Sequence, residues 1–143
     1  MYREDAQRAF GAYGRGAEGL PKIDQLVLLY DAAIRRVREA EEACRDGRVE
    51  DRFHATSKAT AILDGLQACL DFERGGEIAR HLDRLYTYLV FRLQQVNMTN
   101  DPAICREIAE RLGELRSSWA RLAEEARSPG QAAVSAAFSG LTA

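Results

Sequence analysis

At 143 residues the chain fits one domain, long enough to bury about two thirds of the surface its unfolded form exposes. Apolar residues supply 46% and charged residues 29%, a globular balance that sets disorder aside. With 20 basic against 22 acidic side chains and a net charge of −2, the chain lacks the concentrated positive field needed to grip nucleic acid or an anionic membrane.

No run approaches the 18 apolar residues of a membrane span, and Met1-Tyr2-Arg3-Glu4-Asp5 has no basic head and apolar stretch of a secretory signal. Cys44, Cys69 and Cys105 are widely spaced and form no Cys-x-x-Cys pair, so they read as small core or near-surface side chains kept reduced in a cytosolic protein, a reactive thiol being the alternative, for which no activating neighbour is visible.

Three prolines, Pro21, Pro102 and Pro129, leave long stretches of Ala, Leu, Glu and Arg between them, all good helix formers. Residues 1–21 read as an arm, broken by Gly11, Gly14, Gly16 and Gly19 and carrying Tyr2, Phe10 and Tyr13 as isolated anchors. The first long helix starts near Lys22 to Asp24, with Ile23, Val27, Tyr30, Ile34, Val37 and Cys44 on one face. Glu41 falls on that stripe near its end, where its head could reach water, and Gly47 marks the stop. A second helix is predicted over 50–74, with Phe53, Thr56, Ala59, Leu63, Leu66 and Leu70 facing in and Gly75-Gly76 ending it.

The third helix is predicted over 77–98, with Ile78, Leu82, Leu85, Leu89, Leu93 and Val96 as its core stripe. Asn100-Asp101-Pro102 is a restart: a polar cap, then proline at the first helical position, where its missing amide hydrogen costs nothing. The fourth helix carries Ile104, Ile108, Leu112, Leu115, Trp119 and Leu122. Short turns between four such helices predict an all-α, antiparallel up-down four-helix bundle over 22–127, with an N-terminal arm or cap over 1–21. Residues 128–143, with Val134, Phe138 and Leu141 as weak anchors, are expected as a flexible tail, a short extra helix being the alternative.

The third helix carries more apolar side chain than one face needs. At about 100° per residue, Tyr86 and Val90 are placed on one flank of its stripe, Tyr88 on the other and Phe91 opposite. On the first helix, Leu26 to Tyr30 is an unbroken apolar run, and Ala33 and Ala40 make a shallow strip beside Leu29 into which another helix could lie. Three uses of such surface remain open: cover by the arm, a homodimeric scaffold or adaptor, and capture of a foreign helix or extended segment. Catalytic and metal chemistry have little to stand on. Asp51/His54 and Glu77/His81 lack the second Glu-x-x-His copy and inward glutamates of a carboxylate-bridged metal bundle, and there is no phosphate loop or nucleophile elbow. No cofactor, metal or catalytic residue is assigned.

The ordered segments Asp24 to Ile34, Leu70 to Glu77, Leu85 to Leu93 with Val96-Asn97, and Leu115-Arg116 with Trp119 resemble the flagellin-specific export chaperones, the FliS family. Tyr13 stands at the distance of that family's arm tyrosine. The resemblance implies a cytoplasmic, non-enzymatic bundle, monomeric or weakly dimeric. It would bind the disordered C-terminal region of flagellin, prevent premature polymerisation and deliver it to the flagellar type III export apparatus, with the export gate as a further partner and neither nucleic acid nor membrane insertion involved. It also implies a client-binding set of Leu26, Leu29, Tyr30, Ala33, Tyr86, Leu89, Val90 and Leu93, with Phe10 and Tyr13 as the N-terminal cap. The chain departs from the family pattern at Ala32, where glycine is usual, at the Pro21-Lys22-Ile23 entry, at Phe91, where a basic residue is common, and in its longer tail.

Overall fold

The computed structural model describes residues 22–125 and 134–141. Four long helices follow in order: α1 (Lys22–Asp46), α2 (Val49–Ala68), α3 (Phe72–Thr99) and α4 (Pro102–Glu124). The expected all-α bundle is the observed fold. α1 and α3 each pack against α2 and α4 and so stand diagonally across the bundle. The arm, with Phe10 and Tyr13, lies outside the described residues.

Chain reversals follow from local chemistry. α1 ends where Gly47 takes φ +68°, while Arg48 N–H donates to the Ala43 carbonyl at 2.9 Å. Asn100 ends α3 in the left-handed conformation, and Asp101 then accepts from Ala103 N–H at 2.9 Å with Pro102 in the first turn of α4. At this end Arg52 donates to Asn97 and Asn100, Asn97 to Thr56, and Asn100 to the Cys44 carbonyl, so one polar clamp ties α1, α2 and α3.

The break between α2 and α3 comes earlier than the glycine pair suggested. α2 stops at Ala68, and Asp71 caps α3 by accepting from Glu73 and Arg74 N–H, both at 3.0 Å. Gly76 is a kink inside α3, at φ 51° and ψ −126°, rather than the terminus. An aspartate cap that satisfies two amide donors outweighs a glycine that merely permits a bend.

Several faces are rotated from expectation. The buried line of α3 is Ala79, Leu82, Tyr86, Leu89, Leu93 and Val96, so Tyr86 lies in the core rather than on a flank, and Ile78 is exposed. Phe53 is 57% exposed, because α2 turns inward Ala55, Ala59, Ile62, Leu63 and Leu66 instead. Glu41 is buried, not solvated. Its carboxylate meets Arg45 at 2.6 Å, Arg38 at 3.4 Å and Arg106 of α4 at 3.8 Å, a cationic surround that makes a buried charge tolerable.

Segment 134–141, within the expected tail over 128–143, lies against the bundle. Residues 134–137 form one helical turn, and Val134, Ala137, Phe138 and Leu141 are buried in the same core as the four helices.

Candidate functional site

The α1 and α3 residues implicated by the resemblance converge on the bundle interior. Leu26, Leu29, Tyr30 and Ala33 are buried on α1, and Tyr86, Leu89 and Leu93 on α3, while Val90 is half-buried. Because α1 and α3 are diagonal, their two sets do not line one open groove. They meet through the Tyr30 and Tyr86 hydroxyls, 2.6 Å apart. Burial pushes the Tyr30 phenol up to about 12, with the Tyr86 hydrogen bond offsetting part of the effect. Burial, reinforced by the neighbouring Tyr30, raises Tyr86 well above its ordinary range. Both stay neutral at physiological pH, as a hydrogen bond between two phenols in an apolar interior requires.

From this pair an aromatic row runs toward the α2–α3 end of the bundle. Trp119 of α4 meets Tyr30 edge-on at 6.1 Å, and Phe138 meets Trp119 edge-on at 6.4 Å. Trp119 is buried, and its contact with Tyr30 offsets a further, smaller part of the effect of burial on that phenol. One turn below Tyr30–Trp119, Arg116 donates to Asp31 at 2.8 Å, a pairing that raises the guanidinium's pKa. The Tyr30-Asp31 and Arg116/Trp119 segments are thus a single α1–α4 contact.

The C-terminal turn is latched to the same end. Asp71 N–H donates to the Ala137 carbonyl at 3.0 Å and Gly140 N–H to the Cys69 carbonyl at 3.2 Å. The Ser139 hydroxyl donates to Asp71 at 2.6 Å, the largest of the contacts that hold this carboxyl below its usual range, followed by the Arg74 amide. Gly75 makes the notch: a Cβ there would lie 2.6 Å from the Ala137 Cα. Sequence reasoning missed this latch. The signal it had was the apolar spacing at 134, 137, 138 and 141, which is helical but only two turns long.

On the outer side Tyr88 and Phe91 stay at the surface. Tyr88 donates to Glu107 at 2.7 Å and lies under the Arg111 guanidinium, 5.2 Å from the ring centroid. Its phenol is raised by that Glu107 contact, while Glu107 is lowered by Tyr88 and then by Arg92. Phe91 is 54% exposed. Leu28 also faces out. Among the described residues no cluster of three or more His, Cys, Asp or Glu could hold a metal, and no helix is long and apolar enough to cross a membrane.

These features define an all-α antiparallel bundle whose one end-face takes up a helical turn against an aromatic row. Residues 15–126 match the family model described as flagellar protein FliS. The chain is 37% identical over 92 residues to the flagellar secretion chaperone FliSB of Pseudomonas aeruginosa, covering 64% of this chain and 73% of that relative. It is 33% identical over 104 residues to flagellar secretion chaperone FliS of Vibrio cholerae, covering 73% and 75%. Against the Salmonella typhimurium protein of that name it is 37% identical over 100 residues, covering 69% and 74%. The chain belongs to the FliS family, a family of flagellar secretion chaperones and not of enzymes.

Proposed function

We propose that the chain binds the disordered C-terminal region of flagellin in the cytoplasm, keeps it from polymerising early and delivers it to the flagellar type III export apparatus. The observation that carries this reading is the family match across 15–126, which spans all four helices. Leu26, Leu29, Tyr30, Ala33, Tyr86, Leu89, Val90 and Leu93 are the proposed client-binding set, with Phe10 and Tyr13 as proposed cover. Seven of the eight client-set residues are buried in the bundle interior, so client contact with them requires a rearrangement that exposes them, half-buried Val90 being reachable first. A disordered tail that folds into short amphipathic helices loses chain entropy on ordering. Burial of its apolar face offsets that loss.

The test is seeded filament growth from purified flagellin. An equimolar amount of this protein should suppress elongation, and suppression should vanish when flagellin lacks its C-terminal region. Unimpeded growth at equimolar chaperone refutes the reading. Exposed Phe91, Tyr88 and Leu28 favour one rival, a homodimeric scaffold. Sedimentation over a concentration series separates the two: a tight dimer that ignores flagellin supports the scaffold.

A further inference from the structure

We propose that segment 134–141 is a built-in plug that occupies a client-docking surface formed by Cys69, Asp71, Gly75 and Trp119, so that client and tail compete for the same end of the bundle. This rests on the flagellin-binding reading and adds a site, an occupant and a competition to it.

The bundle does not need the tail for its helix ends. Asp71 already caps α3 through the Glu73 and Arg74 amides, and α4 closes on its own Arg121 carbonyl. The tail instead uses groups left over: the Asp71 amide, the free carbonyl of Cys69 and the second oxygen of the Asp71 carboxylate. Two backbone bonds and one hydroxyl bond are contacts that any peptide with a small polar residue can make. Its apolar residues recur at 134, 137, 138 and 141, one face of a short helix. That is the form in which an amphipathic segment docks in an apolar groove.

The surface is shaped for a stated partner. Gly75, having no Cβ, lets the backbone of the docked turn come close at Ala137, and Trp119 meets the aromatic beside it, Phe138, edge-on. A matching client turn presents apolar, small, aromatic and apolar residues at positions i, i+3, i+4 and i+7. Since Trp119 also touches Tyr30, occupancy of this surface is felt directly at the proposed client-binding set. Nine residues, 125–133, join α4 to the plug, so the plug is always at high local concentration and acts as a tethered competitor. If the surface is plugged nine-tenths of the time, apparent client affinity is about tenfold weaker than intrinsic affinity.

The experiment titrates a synthetic peptide of the flagellin C-terminal region into the full chain, into Phe138→Ala and into Ser139→Ala. Helical content is followed by circular dichroism and the single tryptophan, Trp119, by fluorescence. Both variants should keep their helical signal. Phe138→Ala should bind about tenfold more tightly and Ser139→Ala a few-fold more tightly, and peptide should shift Trp119 emission in the full chain. Equal affinity in all three chains, or weaker binding by the variants, overturns the plug while leaving flagellin binding intact. Loss of helix in Phe138→Ala with unchanged affinity in Ser139→Ala also overturns it, making the segment ordinary core. Absence of binding to any of the three refutes the underlying client reading as well.

Discussion

Replacing Phe138 with alanine should lower global stability by about 0–2 kcal/mol, where a Phe→Ala change in a cooperative core costs about 3–5 kcal/mol. The reason lies in what the segment gains and loses on docking. Burying Val134, Phe138 and Leu141 contributes about 1.5–3 kcal/mol each, and the three hydrogen bonds to Asp71 and Cys69 about 0.5–1.5 each, a gross gain of about 6–13 kcal/mol. Ordering the eight residues of 134–141 costs about 8–16 kcal/mol of chain entropy. The two ranges overlap, so the net docking free energy is small beside either gross figure. A substitution in it can cost no more than the docking free energy before the segment simply leaves. Urea melts followed by far-ultraviolet circular dichroism measure the global transition, and Trp119 fluorescence measures the tail's departure. The fluorescence change should precede the loss of helix, and Phe138→Ala should abolish that early phase while moving the helix midpoint little. Coincident transitions and a loss of 3 kcal/mol or more would refute the reasoning and make Phe138 part of the core.

Tyr86→Phe leaves the buried Tyr30 hydroxyl without its partner and should destabilise by about 1–3 kcal/mol, read from thermal melts. Tyr30→Phe/Tyr86→Phe should cost less than the two single changes added together. Val90→Glu, at a half-buried position, should keep helix content and weaken flagellin-peptide binding at least tenfold, about 1.4 kcal/mol. The Asp71 carboxyl is depressed in the folded chain, so its contribution is fully present above the unfolded value near pH 4 and fades as pH falls through the folded value. Acid titration of Trp119 emission should show the tail loosening in that lower window. Asp71→Asn, which keeps a cap but cannot titrate, should lose the step. Tyr30 and Tyr86 are raised, so their contribution holds below about pH 10 and is lost above it. Difference absorbance should find neither ionised before the alkaline unfolding transition.

The helices were legible because periodicity, proline and cap residues agree: Gly47, Asn100, Asp101 and Pro102 all act where their chemistry places them. Facing was less legible. On α3, a line through Ile78 and Leu85 is as periodic as the true one through Ala79 and Tyr86. What selects the tyrosine is Tyr30, brought to it from the diagonal helix. On α2, alanines at 55 and 59 face inward and Phe53 does not, a choice set by how the neighbouring helices pack rather than by hydrophobicity. Glu41 is buried because Arg106 of another helix joins Arg38 and Arg45 around it. The tail's docking depends on a glycine notch and on backbone groups of Cys69 and Asp71, none of which has a pattern along the chain. Of the residues implicated in client binding, the contact of Tyr30 with Tyr86 emerges only in three dimensions, as does the link to Trp119.

Calorimetric titration of the full chain with the flagellin C-terminal peptide tests client capture most directly. Heat release, a 1:1 endpoint and a negative heat-capacity change are the expected result, because a disordered segment would be folding onto apolar surface. No heat and no shift in Trp119 emission at micromolar peptide would contradict it.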